Sequence, residues 1–415
     1  MADITLPEEK CTVAIVGGGT SGLALAAELR RLSVGKVVVL ERENEAGGIP
    51  RHCSHYPFGI SEYNRLLKGP AYARRNSDTA LRLGADIRTN TSVTALRRGG
   101  ALEVAASEER YILNADRVVL CTGVRESSRA QRFIGGDRPK GVISTGALQS
   151  LVYLKGIKPF QRPVILGSEL VSFSAIRTCA HLGIRPVAMV EEEDRIIARR
   201  LFQPFLALNN LPLYPGATDP RIIGREAVEA LEFRDSCGRQ HRIATDGIIV
   251  SGRFRPESAL LHMSHLEVDP NTGGPVVDQF GRSTDPAYFC TGNILRPAET
   301  SAFCWREGVD TARRVAADLQ NGEVRKISSV PVLARDPAIR FVVPQRLSLT
   351  DEHGGMDRFY LGLNEAVNAA VRVSCKENEL WRGKLRSRPV RRIQIPLPEI
   401  RPDDPSAEIR VSIAR

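Results

Sequence analysis

Three glycines near the N-terminus form the clearest chemical signal in this chain of 415 residues. Gly17, Gly19 and Gly22 stand in GxGxxG spacing, after an apolar run at 13–16 and before a helical pattern. In such a turn the first glycine allows the tight bend, the second lets a pyrophosphate approach the backbone, and the third lets the helix pack closely on the strand. The free N–H groups of the helix start would face the phosphates. The spacing therefore predicts a dinucleotide site.

The elements around this turn agree with that prediction. A second apolar strand, 37–40, ends at Glu41, which is placed to accept hydrogen bonds from the adenosine ribose hydroxyls. Strand, glycines, helix, strand and acid together make a far more specific signal than the glycines alone. The residues expected to bind the cofactor here are Gly17, Gly19, Thr20, Ser21, Gly22, Glu41 and Arg42.

Two distant segments indicate which dinucleotide is bound. In the first segment, a hairpin predicted at 93–106 leads into a buried strand that ends at Thr122 and Gly123. In the second, a strand before Gly292 and Asn293 leads through a loop to a long helix expected to begin near Glu307 and Gly308. This order resembles the FAD-binding segments of the flavoproteins with two dinucleotide-binding domains, the relatives of glutathione and thioredoxin reductases. The resemblance implies that FAD is bound, that Asn293 takes the place of the usual aspartate at the ribityl chain, and that the last helix points its N-terminus at the flavin.

The dinucleotide fingerprint recurs at a constant offset of 150 residues. Gly17, Gly19, Gly22 and Glu41 align with Gly167, Glu169, Ser172 and Glu191, so the chain contains an internal repeat. In the family that it resembles, the second copy binds NAD(P)H. A carboxylate at the second glycine position opposes this, because unit charges about 4 Å apart repel by roughly 4 kcal/mol at a partly buried dielectric, or about a thousandfold in affinity. NAD(P), another nucleotide, or no ligand at all stay open for this domain.

The segment 45–75 carries a second resemblance. Its Gly47-Gly48, Cys53 to His55, Phe58-Gly59 and Gly69 to Ala73 resemble a branch of FAD/NAD(P)-type oxidoreductases linked with glycerol-3-phosphate and amino-acid dehydrogenases. The C-terminal part also looks like the small β domain of that branch. The resemblance implies a subunit of a larger assembly, with a second flavoprotein, a ferredoxin-like protein or both as partners.

His52, Cys53 and His55 are the candidate catalytic residues, and three interpretations stay open. They form a flavin-packing loop, or an imidazole accepts a proton while hydride passes to the flavin, or the cluster holds a metal or a covalent flavin link. Cys53 stands alone, so a dithiol for disulfide reduction cannot form within this segment. Gly48 and Arg51 are expected to contact FAD, Arg51 by neutralising a phosphate.

Composition narrows the functional classes. The formal charge is +10, but the basic residues lack aromatic interleaving and a recognition-helix pattern, which opposes nucleic-acid binding. No apolar run is long enough to cross a membrane. The eight cysteines are scattered without a CxxC, as in reduced cytosolic proteins, so a cytoplasmic location is expected and a structural metal site is not.

These patterns predict an α/β protein with two Rossmann-like domains, of the FAD and NAD(P) types, and a small C-terminal antiparallel β domain. We expect an FAD domain at 1–155 and 276–326, a second dinucleotide fold at 156–275, and a linker at 327–338 that opens the β domain at 327–415. The expected function is FAD-dependent oxidation of a small amino-acid, opine or hydroxy-acid substrate within a heteromeric enzyme. The alternatives are an NAD(P)H-dependent flavin reductase and a non-catalytic nucleotide-binding scaffold.

Overall fold

A computed structural model describes residues 6–198, 202–297, 299–322, 328–350, 352–388, 393–398 and 407–414. In chain order the strands are β1 (Glu8–Val16), β2 (Val37–Leu40), β3 (Asp86–Arg88), β4 (Ser92–Leu96), β5 (Ala101–Ala105), β6 (Arg110–Leu120), β7 (Val124–Glu126), β8 (Gly135–Gly136), β9 (Val142–Ser144), β10 (Val164–Leu166), β11 (Ala188–Val190), β12 (Leu213–Tyr214), β13 (Thr218–Ile223), β14 (Ala230–Arg234), β15 (Gln240–Ala244), β16 (Ile248–Val250), β17 (Phe254–Pro256), β18 (Tyr288–Cys290), β19 (Ser329–Ala334), β20 (Ile339–Val343), β21 (Arg346–Ser348), β22 (Arg358–Leu363), β23 (Val367–Cys375), β24 (Asn378–Ser387), β25 (Ile393–Pro396) and β26 (Ile409–Ala414). The helices are α1 (Thr20–Arg31), α2 (Ile60–Tyr63), α3 (Gly69–Arg82), α4 (Thr145–Gln149), α5 (Leu170–His181), α6 (Gln203–Leu208), α7 (Ala259–His262) and α8 (Ser301–Gln320).

The first sheet is built on the parallel strands β3, β2, β1, β6 and β18, and the expected hairpin β4–β5 pairs antiparallel with the start of β6. Alternation along β1 explains why both faces are covered. Val13 and Ile15 pack with α1 and α8, whereas Ala14 and Val16 face a core that includes Phe341 of the C-terminal part. The sheet is therefore enclosed by helices on one side and by C-terminal strands on the other.

The second dinucleotide fold repeats the plan of the first. Strands β12, β11, β10, β16 and β9 form a parallel sheet in that order, with α5 following β10 as α1 follows β1. The short antiparallel pair β7–β17 connects the two folds. The sheet order confirms the prediction of two Rossmann-like units, while the exact domain boundaries stay predictions.

The C-terminal part is made of two small sheets, of strands β21-β19-β26-β23-β24 and β20-β22-β25 within the described residues. The alternating positions 371–375 and 409–413 lie in β23 and β26, as predicted, and the positions 393–395 lie in β25, which ends before 397. Two details differ. The pair β19–β26 is parallel, and β19 lies inside the expected linker 327–338, where Pro331 is accommodated beside Arg346 of β21. Of the basic cluster 382–392, positions 389–392 lie outside the described residues, as does position 327.

Helix α8 begins earlier than its expected start near Glu307. Its first residue is Ser301, and the Thr300 side chain caps it by accepting a hydrogen bond from the Phe303 N–H. A threonine at this position satisfies one of the unpaired N–H groups of the first turn. Even with its 20 residues, α8 is no candidate for a membrane span, and neither is any other helix in the described ranges.

A buried arginine joins the first fold to the C-terminal part. Arg282, only 4 % exposed, lies 2.7 Å from Asp318 of α8 and 3.8 Å from the fully buried Asp278, and it also pairs with Glu352. Arg282 provides charge compensation to all three carboxylates, and Asp318 also pairs with Arg117. Removal of the cation would leave buried anions without it, which is costly.

We therefore expect Arg282→Ala to cost about 3–5 kcal/mol of stability, measured as a fall in the midpoint of thermal unfolding of the FAD-loaded protein. Arg313→Ala is the matched control on α8, because the Arg313 side chain is 61 % exposed in its pair with Glu28 and such pairs contribute about 0–1 kcal/mol. Equal midpoints for the two variants would show that the Arg282 network does not hold these parts together.

Candidate functional site

The glycine turn after β1 has the backbone geometry that a dinucleotide needs. Gly17 has φ +109°, and a Cβ there would lie 2.6 Å from the Cys121 carbonyl oxygen. A Cβ at Gly22 would lie 2.1 Å from the Gly17 carbonyl oxygen, so both positions exclude a side chain. At Gly19, by contrast, a Cβ would meet no atom within 4 Å. Gly19 therefore faces open space at the start of α1, where a pyrophosphate would lie.

A loop and an acid complete this turn. The Gly47 N–H donates to the Gly18 carbonyl at 2.7 Å, and a Cβ at Gly48 would lie 2.9 Å from Gly19 Cα. The buried Glu41 carboxylate accepts the N–H groups of Gly18 and Glu43, both at 2.9 Å. These bonds fix the acid at the end of β2 with acceptor capacity left for a ribose hydroxyl.

Arg51 is the cation of this loop. It is buried, its Nη2 lies 3.3 Å from both Asn44 Oδ1 and Glu45 Oε2, and its Nε has no hydrogen-bond partner. Arg42, in contrast, is exposed and lies 3.8 Å from Glu43. An orphaned guanidinium N–H beside the glycine turn fits a phosphate oxygen, so Arg51 is the stronger candidate of the two.

The predicted return segments meet helix α1 from the other side. Beta carbons at Gly292 and Gly308 would lie 2.2 Å from Ser21 Oγ and 2.4 Å from the Ser21 carbonyl. Gly308 is therefore a packing glycine within α8, not part of a helix start. Asn293 accepts the Glu299 N–H at 2.7 Å, which holds the loop before α8 in place. The structure brings these residues to the same turn as Gly17 to Gly22.

Glu307 has a structural partner where a flavin contact was expected. Its carboxylate lies 2.8 Å from Arg296 Nη2 and accepts the Gly292 N–H at 3.0 Å. Arg296 is 2 % exposed and stacks on Tyr360 of β22 at 4.0 Å. Sequence reasoning did not find Arg296 and Tyr360, because their contact joins distant parts of the chain and leaves no local pattern.

Thr122 and Gly123 lie where the two folds meet. The Thr122 hydroxyl donates to the Glu257 carbonyl at 2.7 Å, and the Glu257 N–H donates to the Gly123 carbonyl at 2.9 Å. At Gly123 a Cβ would meet open space. This crossing ties the end of β6, in the first fold, to the end of β17, which follows the second.

The segment with His52, Cys53 and His55 packs against the second fold. Cys53 is buried, burial raises the pKa of its thiol to about 12, and its Sγ lies 3.9 Å from Gln149 Oε1. Burial lowers the pKa of His52 below the ordinary 6.5, with Arg51 adding to the effect, and burial also lowers the pKa of His55. The His52 Nδ1 atom has no partner, while His55 Nδ1 lies 3.0 Å from the Tyr56 carbonyl oxygen.

His52, Cys53 and His55 do not have the ligand arrangement of a metal site. The described residues contain no group of three or more His, Cys, Asp or Glu side chains that could hold a metal ion. Burial instead favours neutral imidazoles at His52 and His55 and a protonated thiol at Cys53 at neutral pH. An imidazole in that state can accept a proton at neutral pH.

The second glycine turn has the repeated backbone but different side chains. Glu191 accepts the Glu193 N–H at 2.9 Å, as Glu41 accepts that of Glu43, and its other oxygen accepts the Ser168 hydroxyl at 2.6 Å. Glu169 extends from the start of α5, and its carboxylate accepts the Arg253 N–H at 2.6 Å. The open space found at Gly19 is therefore filled by a side chain here. The first turn fits FAD, whereas the second does not fit NAD(P) in the corresponding position.

Two curated proteins are similar to most of this chain. A probable ferredoxin reductase of Castellaniella defragrans is 24 % identical over 346 residues, covering 77 % of this chain and 78 % of that protein. The ferredoxin–NAD(+) reductase component of the p-cumate 2,3-dioxygenase system of Pseudomonas putida is 22 % identical, over 88 % and 91 % of the two chains.

A solved structure supports the same fold. Thioredoxin reductase of T. acidophilum superposes with a TM-score of 0.61 at 21 % identity, covering 75 % of this chain and 99 % of that one. The family model of pyridine nucleotide-disulphide oxidoreductases matches residues 11–314, which is well over half of the chain. The chain belongs to the pyridine nucleotide-disulphide oxidoreductase family and is an FAD-dependent oxidoreductase.

Proposed function

We propose that this chain is the flavin-bearing subunit of a cytoplasmic heteromeric dehydrogenase or oxidase, which moves electrons from a small amino-acid, opine or hydroxy-acid substrate to a partner protein. The observation that carries this proposal is the loop that contacts the FAD turn through the Gly47 N–H and continues into His52 and His55, two imidazoles whose pKa is lowered by burial. FAD supplies a hydride acceptor that can release its electrons singly. The protein then has to supply binding, orientation and a base.

The imidazoles supply the base. Oxidation of an alcohol or amine carbon removes a hydride from carbon and a proton from the attached oxygen or nitrogen, leaving a carbonyl or imine. A neutral imidazole can accept that proton, whereas a protonated one cannot. His52 Nδ1 is buried and has no hydrogen-bond partner within the protein, so the protein itself leaves one proton-accepting position of this ring unused.

The protonated state of the Cys53 thiol argues against disulfide reduction by this segment. The thiolate is the reactive form of cysteine, and a pKa of about 12 keeps Cys53 protonated at neutral pH. Its contact is Gln149, and all eight cysteines of the chain are free. The family's disulfide reduction therefore has no reactive pair here, which supports an organic substrate.

A role beside a partner is supported by the same segment. Four of its apolar side chains are substantially exposed, Ile49 at 55 %, Tyr56 at 43 %, Ile60 at 55 % and Leu66 at 61 %. Exposed apolar groups that lie together in sequence next to a functional segment favour a protein contact. One of the two relatives is by name a component of an oxygenase system, which agrees with a subunit role.

The names of both relatives favour a second candidate, an NAD(P)H-dependent reductase that passes electrons to a ferredoxin-like protein. The Glu169 side chain in the crevice of the second fold opposes this candidate.

A third candidate, a non-catalytic flavin-bearing scaffold, predicts that no small organic donor reduces the flavin. Anaerobic titration of the FAD-loaded chain with L- and D-amino acids, opines and 2-hydroxy acids separates the proposal from the other two. Bleaching by one of these donors supports the proposal, and bleaching by none of them, with dithionite still effective, overturns it.

The imidazoles give the reaction a defined pH dependence. Because both pKa values lie below 6.5, the bases are already neutral at pH 7, and the rate of flavin reduction should fall only as pH drops below 6.5. Replacement of the catalytic histidine by asparagine should lower that rate about 10²–10⁴-fold and abolish this acidic limb. Stopped-flow bleaching of His52→Asn and His55→Asn between pH 5 and 9 measures both effects. An unchanged limb in both variants would exclude the histidines as bases.

Replacement of Cys53 tests the thiol separately. Since Cys53 is protonated and buried, we expect Cys53→Ala to change the rate of flavin reduction by the donor less than about threefold, with a stability loss of about 1 kcal/mol for the lost packing. Thermal unfolding and stopped-flow bleaching provide the two readouts, and Cys179→Ala is the matched control, because that thiol is also buried, with a pKa of about 12, in α5. Loss of flavin reduction in Cys53→Ala alone would assign the thiol a catalytic role.

A further inference from the structure

The crevice of the second fold is crossed by one side chain. In open parallel sheets of this type, ligands bind outside the carboxyl ends of the strands where the strand order reverses. Here that place lies between β10 and β16, which pair in parallel and end at Leu166 and Val250. Glu169 stands at the N-cap position of α5, but its side chain makes no capping bond there; it reaches across the crevice to the loop after β16 and accepts the Arg253 N–H at 2.6 Å.

The contact is close and leaves little free space. A Cβ added to Gly252 would lie 2.5 Å from Glu169 Cδ, so the carboxyl group rests directly on the backbone of this loop. The corresponding space above Gly19 in the first fold is open for 4 Å. A pyrophosphate on α5 would have to occupy the volume that the Glu169 side chain fills.

Two backbone donors beside the crevice are engaged by a second carboxylate of the chain. Glu126 accepts the N–H groups of Gly252 at 2.9 Å and Gly146 at 2.8 Å. Burial raises the pKa of both Glu126 and Glu169, and the two acids lie close enough to act on each other. The crevice thus presents acceptors and negative charge where a phosphate needs donors and positive charge.

The cations at the crevice are already paired. Arg132 donates from Nη1 to the carbonyls of Leu166 at 3.2 Å and Ser251 at 3.0 Å, and from Nη2 to Glu192 at 3.1 Å. Arg253 also pairs with Glu192. These contacts hold both guanidinium groups on the protein, although the buried Nε of Arg132 has no hydrogen-bond partner.

The third glycine position of the second turn also differs from that of the first, because Ser172 stands where the first fold has Gly22. In the first fold a Cβ at Gly22 would clash with the Gly17 carbonyl, yet Ser172 is fully buried at the equivalent place. Its hydroxyl donates to Ser251 Oγ at 2.9 Å, and Thr145 donates to the same Ser251 atom at 2.9 Å. The three buried hydroxyls therefore satisfy one another's hydrogen bonds, as buried polar groups in folded proteins generally require.

We propose that Glu169 is an internal ligand of the second fold, which occupies the pyrophosphate position and excludes NAD(P)H from the crevice. The residue thereby determines which donor the enzyme accepts, because a reduced pyridine nucleotide cannot be presented to the flavin from this domain. The inference concerns the second fold alone and holds whichever organic substrate reduces the flavin.

The test measures the binding of NADH and NADPH to the FAD-loaded protein. Calorimetry gives the dissociation constant, and anaerobic bleaching of the flavin shows whether the bound nucleotide reduces it. We expect no binding to the wild type at 1 mM nucleotide. Glu169→Gly should improve the dissociation constant about 10²–10³-fold, because both the bulk and the charge are removed. Glu169→Gln removes only the charge and should give a smaller gain. The double variant Glu169→Gly with Ser172→Gly restores the first-fold pattern and should bind at least as tightly as Glu169→Gly.

Glu226→Gln is the matched control, because it removes one exposed acid from the turn between β13 and β14 and should leave binding unchanged. Thermal unfolding and the flavin spectrum verify that each variant is folded. If Glu169→Gly does not fold, the wild type and Glu169→Gln still decide the question. Tight binding of NADH or NADPH to the wild type overturns the proposal, and so does the absence of any gain in all folded Glu169 variants. Neither result depends on whether amino acids, opines or hydroxy acids reduce the flavin.

Discussion

The FAD half of the molecule depends on close approach between backbone atoms around helix α1. Gly22 lets α1 rest on the Gly17 carbonyl, and Gly292 and Gly308 let the return segment and α8 rest on Ser21. A side chain at any of these three glycines would push the helix away from its support. The consequence is electrostatic as well as steric, because the position of α1 determines where its free N–H groups and partial positive charge are directed. The geometry of the cofactor site therefore depends on the close packing of α1 at these three glycines.

The second fold shows that the architecture survives when this constraint is relaxed. Its acid at the end of the second strand keeps the same bond to the residue two places later, in Glu41 and in Glu191. Its helix carries Ser172 where Gly22 stands, and the hydroxyl finds a buried partner in Ser251. The fold therefore tolerates a serine at the third glycine position, while the proposed loss of nucleotide binding rests on the carboxylate at the turn. The fold depends on the backbone and packing atoms of the motif, whereas nucleotide binding depends on the side chain at its second glycine position.

Sequence reasoning succeeds where a local rule is strong and fails where a contact joins distant segments. The strand-turn-helix units, the hairpin β4–β5 and the repeat all follow from spacing and alternation within short windows, and the structure contains them. The start of α8 was missed although Thr300 is a readable N-cap, because the glycine at 308 was interpreted as a helix start and not as a packing position. The pairing of Glu307 with Arg296 could not be foreseen, since burial of Arg296 depends on Tyr360 from the C-terminal sheets. The prediction of a linker at 327–338 was wrong for β19, because this strand pairs with β21 and with β26 at the far end of the chain.

A domain with a filled crevice still has a physical role in this arrangement. The segment with the two imidazoles is supported from the second fold, since Gln149 faces Cys53 and the charge of Arg177 acts on His55. The crossing at Thr122 and Glu257 fixes the two folds against each other at the end of β6. Loss of the second fold would expose the buried thiol and solvate the imidazoles, and their pKa values would return towards the ordinary value. The second fold can therefore be retained for the environment it gives the flavin segment, independently of any nucleotide of its own.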